Sequence, residues 1–164
     1  MSGREDHLGE TFAALASISL RLSMSLGQDG AFFPVTAASV QSRDGDVLRV
    51  LDAFLQRFQQ ALDQILRKLF PRLQAAVTLS DELLPVRELL ENLHRAGVIA
   101  SIDTWRELIE VRNRLTHDYA LDPEERAAVL NEAWARVPDV LAQVDRARSY
   151  ALRHKLIERT ADDA

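Results

Sequence analysis

The stretch DVLRVLDAFLQRFQQALDQILRKLFPRL, residues 46–73, decides the fold. Within it Val47, Leu51, Phe54, Leu55, Phe58, Leu62, Ile65, Leu66, Leu69 and Phe70 recur at steps of three and four. That spacing lines one face of an α-helix and leaves the other face to polar side chains. Pro71 has no N–H to donate and its ring crowds the preceding turn, so it should kink or end this helix.

The rest of the chain has the same character. Upstream, Leu8, Phe12, Leu15, Ile18 and Leu22 mark a helix from about Leu8 to Leu26. From Gly27 to Asp46 the glycines and Pro34 predict a long loop, whose Ala31-Phe32-Phe33-Pro34-Val35 run reads as a tucked-in strap and not as a strand. Downstream, a helix is expected from about Ser80 to Ala96, with Pro85 in its first turn and Gly97 stopping it. Another starts near Asp103-Thr104, where Thr104 and Glu107 have the spacing of a capping box, and runs to about Ala120. Asp122, Pro123 and Glu125 then open the last helix as cap, first residue and box partner. It continues towards Leu156 on Val129, Ala133, Val137, Val140, Leu141 and Val144, with a kink at Pro138. The expectation is an all-α, up-and-down bundle of four main helices plus an N-terminal one, in a single domain over 1–164. Residues 1–43 form the N-terminal helix and loop, and 44–157 the bundle core.

Composition narrows the chemistry. The chain has 164 residues, no cysteine and four histidines, His7, His94, His117 and His154. Disulfides and thiolate metal sites are therefore excluded, and the histidines lack ligand spacing. His154 and Glu158 share a helix face and read as a surface ion pair. Neither a metal nor a cofactor is expected. No apolar run is long and uncharged enough to span a membrane, which leads us to expect a cytoplasmic protein. A net charge of −5 argues mildly against a general nucleic-acid binder, although nearly all the positive charge is arginine.

One short segment departs from ordinary core patterning: Arg112-Asn113-Arg114-Leu115-Thr116-His117-Asp118-Tyr119. Counting roughly 100° per residue, Trp105, Leu108, Ile109, Leu115 and Tyr119 lie within about 60° of Arg112. Arg112 is thus expected in the middle of the apolar stripe, where a guanidinium is costly unless paired or used. The sequence leaves open whether Asp63 or another acid pairs with it. Arg106, Glu110, Arg114 and Asp118 form an alternating i,i+4 row on the far side, expected to be an ion-paired face. Asn113 and His117 fall at the border. A snorkelling arginine and a polar histidine near a helix end would produce the same pattern with no chemistry attached.

Arg-Asn-x3-His-x-Tyr, at Arg112, Asn113, His117 and Tyr119, resembles the signature of the HEPN superfamily, and within it the HepT-like toxins that pair with minimal nucleotidyltransferases. Asp103 to Leu108 before the motif and Asp122-Pro123-Glu124 after it agree with that likeness, which runs from about Asp44 to Tyr150. The resemblance implies a metal-independent endoribonuclease toxin whose catalytic residues are Arg112, Asn113 and His117. Such chemistry needs a proton taken from the 2′-hydroxyl, charge stabilised on phosphorus and a proton given to the 5′-oxygen. Histidine serves the first and last, arginine the second, and Asn113 can hold the imidazole or a phosphate oxygen. One chain offers a single such histidine, and the resemblance implies a homodimer with paired motifs at a shared cleft acting on RNA. It also implies that Tyr119 is the residue a partner nucleotidyltransferase antitoxin modifies with AMP to silence the toxin. Taken by itself, Tyr119 has the simpler reading of a packed tyrosine at a helix end. Two other readings stand beside the toxin: a non-catalytic binding subunit of a nucleotidyltransferase complex, and a structural bundle with a chance motif.

Overall fold

The computed structural model describes residues 2–117 and 121–158. Among them the elements are α1 (Ser2–Gln28), a 3-10 turn (Gly30–Phe32), α2 (Ala37–Val40), α3 (Gly45–Gln64), a π-helical turn (Ile65–Leu69), α4 (Phe70–Thr78), α5 (Val86–Arg95), α6 (Ile102–Thr116) and α7 (Pro123–Arg153). No strand occurs among the described residues. The fold is the all-α helical arrangement that the periodicity predicts.

The decisive stretch forms one rod: α3, the π turn and α4 run on without a break. Asp44 caps its start, its side chain accepting from Asp46 N at 2.8 Å. Pro71 does not end the rod, one of the two outcomes expected of it, because the turn before it is widened. In an α-helix the Pro71 ring would press on the Arg67 carbonyl. In the π turn the Phe70 N–H bonds the Ile65 carbonyl instead, and the chain passes. The widening also re-aims the apolar face. On an unbroken α-wheel Phe70 would point roughly 160° away from Phe54, yet both are fully buried. Phe70 meets the Trp105 ring edge-on, with centroids 4.7 Å apart. The rod ends past Pro71, where Leu79 takes a left-handed conformation at φ 56°.

Around this rod the core closes as predicted from α1 and α7. Leu8, Phe12, Leu15, Ile18 and Leu22 are buried, as are Val129, Ala133, Val137, Val140 and Val144. Leu141 is partly buried and packs against that core. Asp122 and Glu125 form the expected capping box, and α7 continues through Pro138. His154 stacks on the Tyr150 ring at 4.2 Å, where an ion pair with Glu158 was expected.

The 27–46 connection is more ordered than a loop, since it carries the 3-10 turn and α2. Its middle is the strap read from sequence. Phe33 stacks on Trp134 at 3.8 Å, and Asn131 clamps the Val35 backbone, accepting from its N–H at 2.7 Å and donating to its carbonyl at 2.9 Å. Residues 80–85 lie outside α5, with Pro85 at the cap position. Gly97, at φ 82°, ends α5 as predicted. Val98 N bonds Leu93 O at 2.9 Å and Gly97 N bonds His94 O at 3.0 Å, the two bonds of a Schellman ending.

Candidate functional site

Helix α6 carries the motif, and its ends are set by local chemistry. Ser101, not Thr104, is the N-cap: its side chain accepts from Thr104 N at 3.2 Å. The expected capping box from Thr104 to Glu107 therefore does not form, because Thr104 is already one turn inside the helix. At the other end His117 is the C-cap, at φ −107° and ψ 24°, with its N–H on the Arg114 carbonyl at 3.2 Å. The Thr116 hydroxyl donates to the Arg112 carbonyl at 2.9 Å. Asp118, Tyr119 and Ala120 lie outside the described residues, and so does the predicted extension of this helix to Ala120.

The buried face of α6 is Trp105, Leu108, Val111 and Leu115. Val111 extends the buried stripe on one side, so Arg112 lies off its centre, between the directions of Leu108 and Trp105. Ile109, on the other flank, is only partly buried. Trp105 anchors the helix: its indole N–H donates to Gln143 Oε1 at 3.1 Å, and Gln143 Nε2 donates to the Val98 carbonyl at 2.8 Å. These buried bonds tie α6 to α7 and to the turn after α5, and they fix the orientation from which the motif residues project.

Arg112 finds its partner within the chain. Its Nη2 donates to Asp63 Oδ1 on α3 at 2.7 Å, and its Nη1 to Asn113 Oδ1 at 3.2 Å. With its side chain 22% exposed and that of Asp63 41% exposed, the pair straddles the protein boundary. A guanidinium held this way needs no subunit interface to account for its burial. Asp63 thus answers the question the sequence left open. Arg67, in the π turn, also reaches the same Asp63 oxygen, at 3.9 Å. Nothing in the sequence near the motif points to Arg67.

Asn113 and His117 share an open groove of about 470 Å³ with Arg106, Ile109, Glu110, Arg114 and Leu121. His117 is exposed there. Arg112 is not a wall of this groove but joins it through Asn113. Of the polar row on α6, Arg106 pairs with Asp103 of the same helix at 3.2 Å, and Arg114 with Glu132 of α7 at 3.0 Å; Asp118 lies outside the described residues. Tyr119 lies outside the described residues and is not placed.

Chemically, the arrangement offers an oriented guanidinium, a neighbouring amide and an exposed imidazole at one helix end. Among the described residues no group of three or more His, Cys, Asp or Glu is disposed to hold a metal ion. None of their helices is long and apolar enough to cross a membrane. Residues 46–147 match the model of the family described as HepT-like, Ribonuclease HepT-like. No curated protein and no solved structure matches the chain significantly.

Proposed function

This chain belongs to the HepT-like ribonuclease family, and we propose that it is a metal-independent endoribonuclease, the toxin of a two-component toxin–antitoxin system. One observation carries the proposal: Arg112, held by Asp63 and Asn113, lies five residues before His117 at the end of the same helix, and His117 stands exposed beside an open groove. An arginine has five N–H donors, so two bonds to the protein leave others for phosphoryl oxygens. Orientation is fixed beforehand, and little is lost in ordering the side chain when substrate arrives.

In the proposed reaction a base takes the proton of the 2′-hydroxyl and the 2′-oxygen bonds to phosphorus. The bond from phosphorus to the 5′-oxygen breaks, and that oxygen takes a proton from an acid. A 2′,3′-cyclic phosphate and a 5′-hydroxyl result. Arg112 stabilises the charge gathering on the phosphoryl oxygens. His117 is acid or base, and Asn113 holds the imidazole or a phosphate oxygen. Both proton transfers need a partner, so a two-fold dimer bringing two His117 side chains to one cleft completes the set. Silencing follows if a nucleotidyltransferase moves AMP from ATP to the Tyr119 oxygen with release of pyrophosphate, adding a phosphate and its bulk two residues along the chain from His117.

The test is cleavage of single-stranded RNA in EDTA by wild type and His117→Ala. The substitution should lower the rate about 10²- to 10⁴-fold while the melting curve stays unchanged, since His117 is an exposed cap. Undiminished cleavage by the folded variant would remove His117 from the mechanism. A folded wild type that binds RNA without cutting it would instead favour the binding-subunit reading.

A further inference from the structure

We propose that Arg67 is a second phosphate-binding residue, taking the RNA phosphate next to the one being cleaved; this rests on the ribonuclease reading above. Asp63 Oδ1 accepts from Arg112 Nη2 at 2.7 Å and lies 3.9 Å from Arg67 Nε. Two guanidinium groups thus converge on one carboxylate oxygen, leaving a surplus positive charge on a chain whose net charge is −5. On a chain of that net charge, affinity for RNA must come from local groups of cations.

The two arginines differ in a useful way. Arg112 is fixed by two hydrogen bonds, whereas the Arg67 side chain is 71% exposed and only within ion-pair reach of Asp63. A surface pair at i,i+4 contributes little to stability, so the fold gains almost nothing from Arg67. Its donors are free to meet a planar pair of phosphate oxygens. The polar track is also continuous: Arg67 to Asp63, to Arg112, to Asn113, and into the groove where His117 stands. A strand whose scissile phosphate sits between Arg112 and His117 runs along this track, and its next phosphate falls at Arg67. The widened π turn, which displaces this stretch from regular helix geometry, is a common device for such placement.

The experiment is fluorescence anisotropy with a short single-stranded RNA carrying 2′-O-methyl groups, which lack the attacking hydroxyl. Binding is measured over a range of salt for wild type, Arg67→Ala, Arg67→Lys and Arg49→Ala. Arg49 is an exposed arginine of α3 paired with Asp46, away from this track, and serves as the control. Arg67→Ala should weaken binding roughly two- to five-fold at low salt. It should also flatten the plot of log affinity against log salt by about 0.7, the loss of one phosphate contact to a single strand. Arg67→Lys should restore the slope, and Arg49→Ala should match wild type. A slope for Arg67→Ala equal to that of wild type, or a wild type without affinity for the probe, overturns the proposal. If the slope falls as expected but wild type leaves unmodified RNA intact, the phosphate site stands and the ribonuclease reading fails.

Discussion

Replacing Gln143 by leucine tests whether the motif helix is held by a buried polar link. The two side chains are similar in size, so the change removes hydrogen bonds without opening a large cavity. It strands the Trp105 indole N–H and the Val98 carbonyl, which Gln143 satisfies at 3.1 and 2.8 Å. Gln143 is 6% exposed, Trp105 2% and Val98 0%, so water cannot take over either bond. Each orphaned group costs about 1–3 kcal/mol, and the added apolar burial offsets part of it, which leaves a net loss of about 2–4 kcal/mol. For a chain of this size that corresponds to a fall in Tm of about 5–15 °C. Thermal unfolding followed by circular dichroism reads it directly. Trp105→Phe removes the indole donor, so the double variant should lose less than the two single losses together. A fall below about 2 °C for Gln143→Leu, or strict additivity in the double variant, would refute the view that this link seats α6.

Three further outcomes are expected. Asn131→Ala should cost about 1–3 kcal/mol by releasing the strap at Val35, while RNA cleavage well below the melting temperature keeps its rate. Sedimentation at micromolar concentration should show a dimer; a monomer with full ribonuclease activity would contradict the shared-cleft mechanism. Incubation with the partner nucleotidyltransferase and ATP should add AMP mass to wild type but not to Tyr119→Phe, and equal gain by both would exclude Tyr119 as the acceptor.

Periodicity made the main helices legible because each buries a broad stripe. In α3 the predicted Leu51, Phe54, Phe58 and Leu62 are buried, while Val47 and Leu55 are partly buried and Val50 and Ala61, outside the predicted stripe, join the core. Helix ends were less legible, since neighbouring residues offer competing local solutions. Ser101 and Thr104 are both good caps, and the choice of Ser101 puts Ile102 into the helix, packed against the core. Pro71 looked like a terminator because the cost of proline is judged on α geometry, and a π turn lifts that cost. The motif was readable as a spacing, but its electrostatics were not. Arg112 and Asp63 lie 49 residues apart, and only the packing of α6 on α3 brings them together. Arg106 and Arg114 likewise chose acids that an i,i+4 count does not favour.

The π turn carries one residue more than an α-helix of equal length would need, and this bears on how the chain tolerates changes of length. Removing a residue from α3 would swing everything beyond it by about 100°, taking Leu73 out of the core and Arg72 away from the His7 carbonyl it bonds at 2.8 Å. Removing Lys68 would instead collapse the wide turn to an ordinary one, and the two halves of the rod would stay in phase. The obstacle left would be the Pro71 ring against the carbonyl one turn back, which an accompanying Pro71→Ala relieves. The rod therefore has a single site at which it can be shortened without being rebuilt.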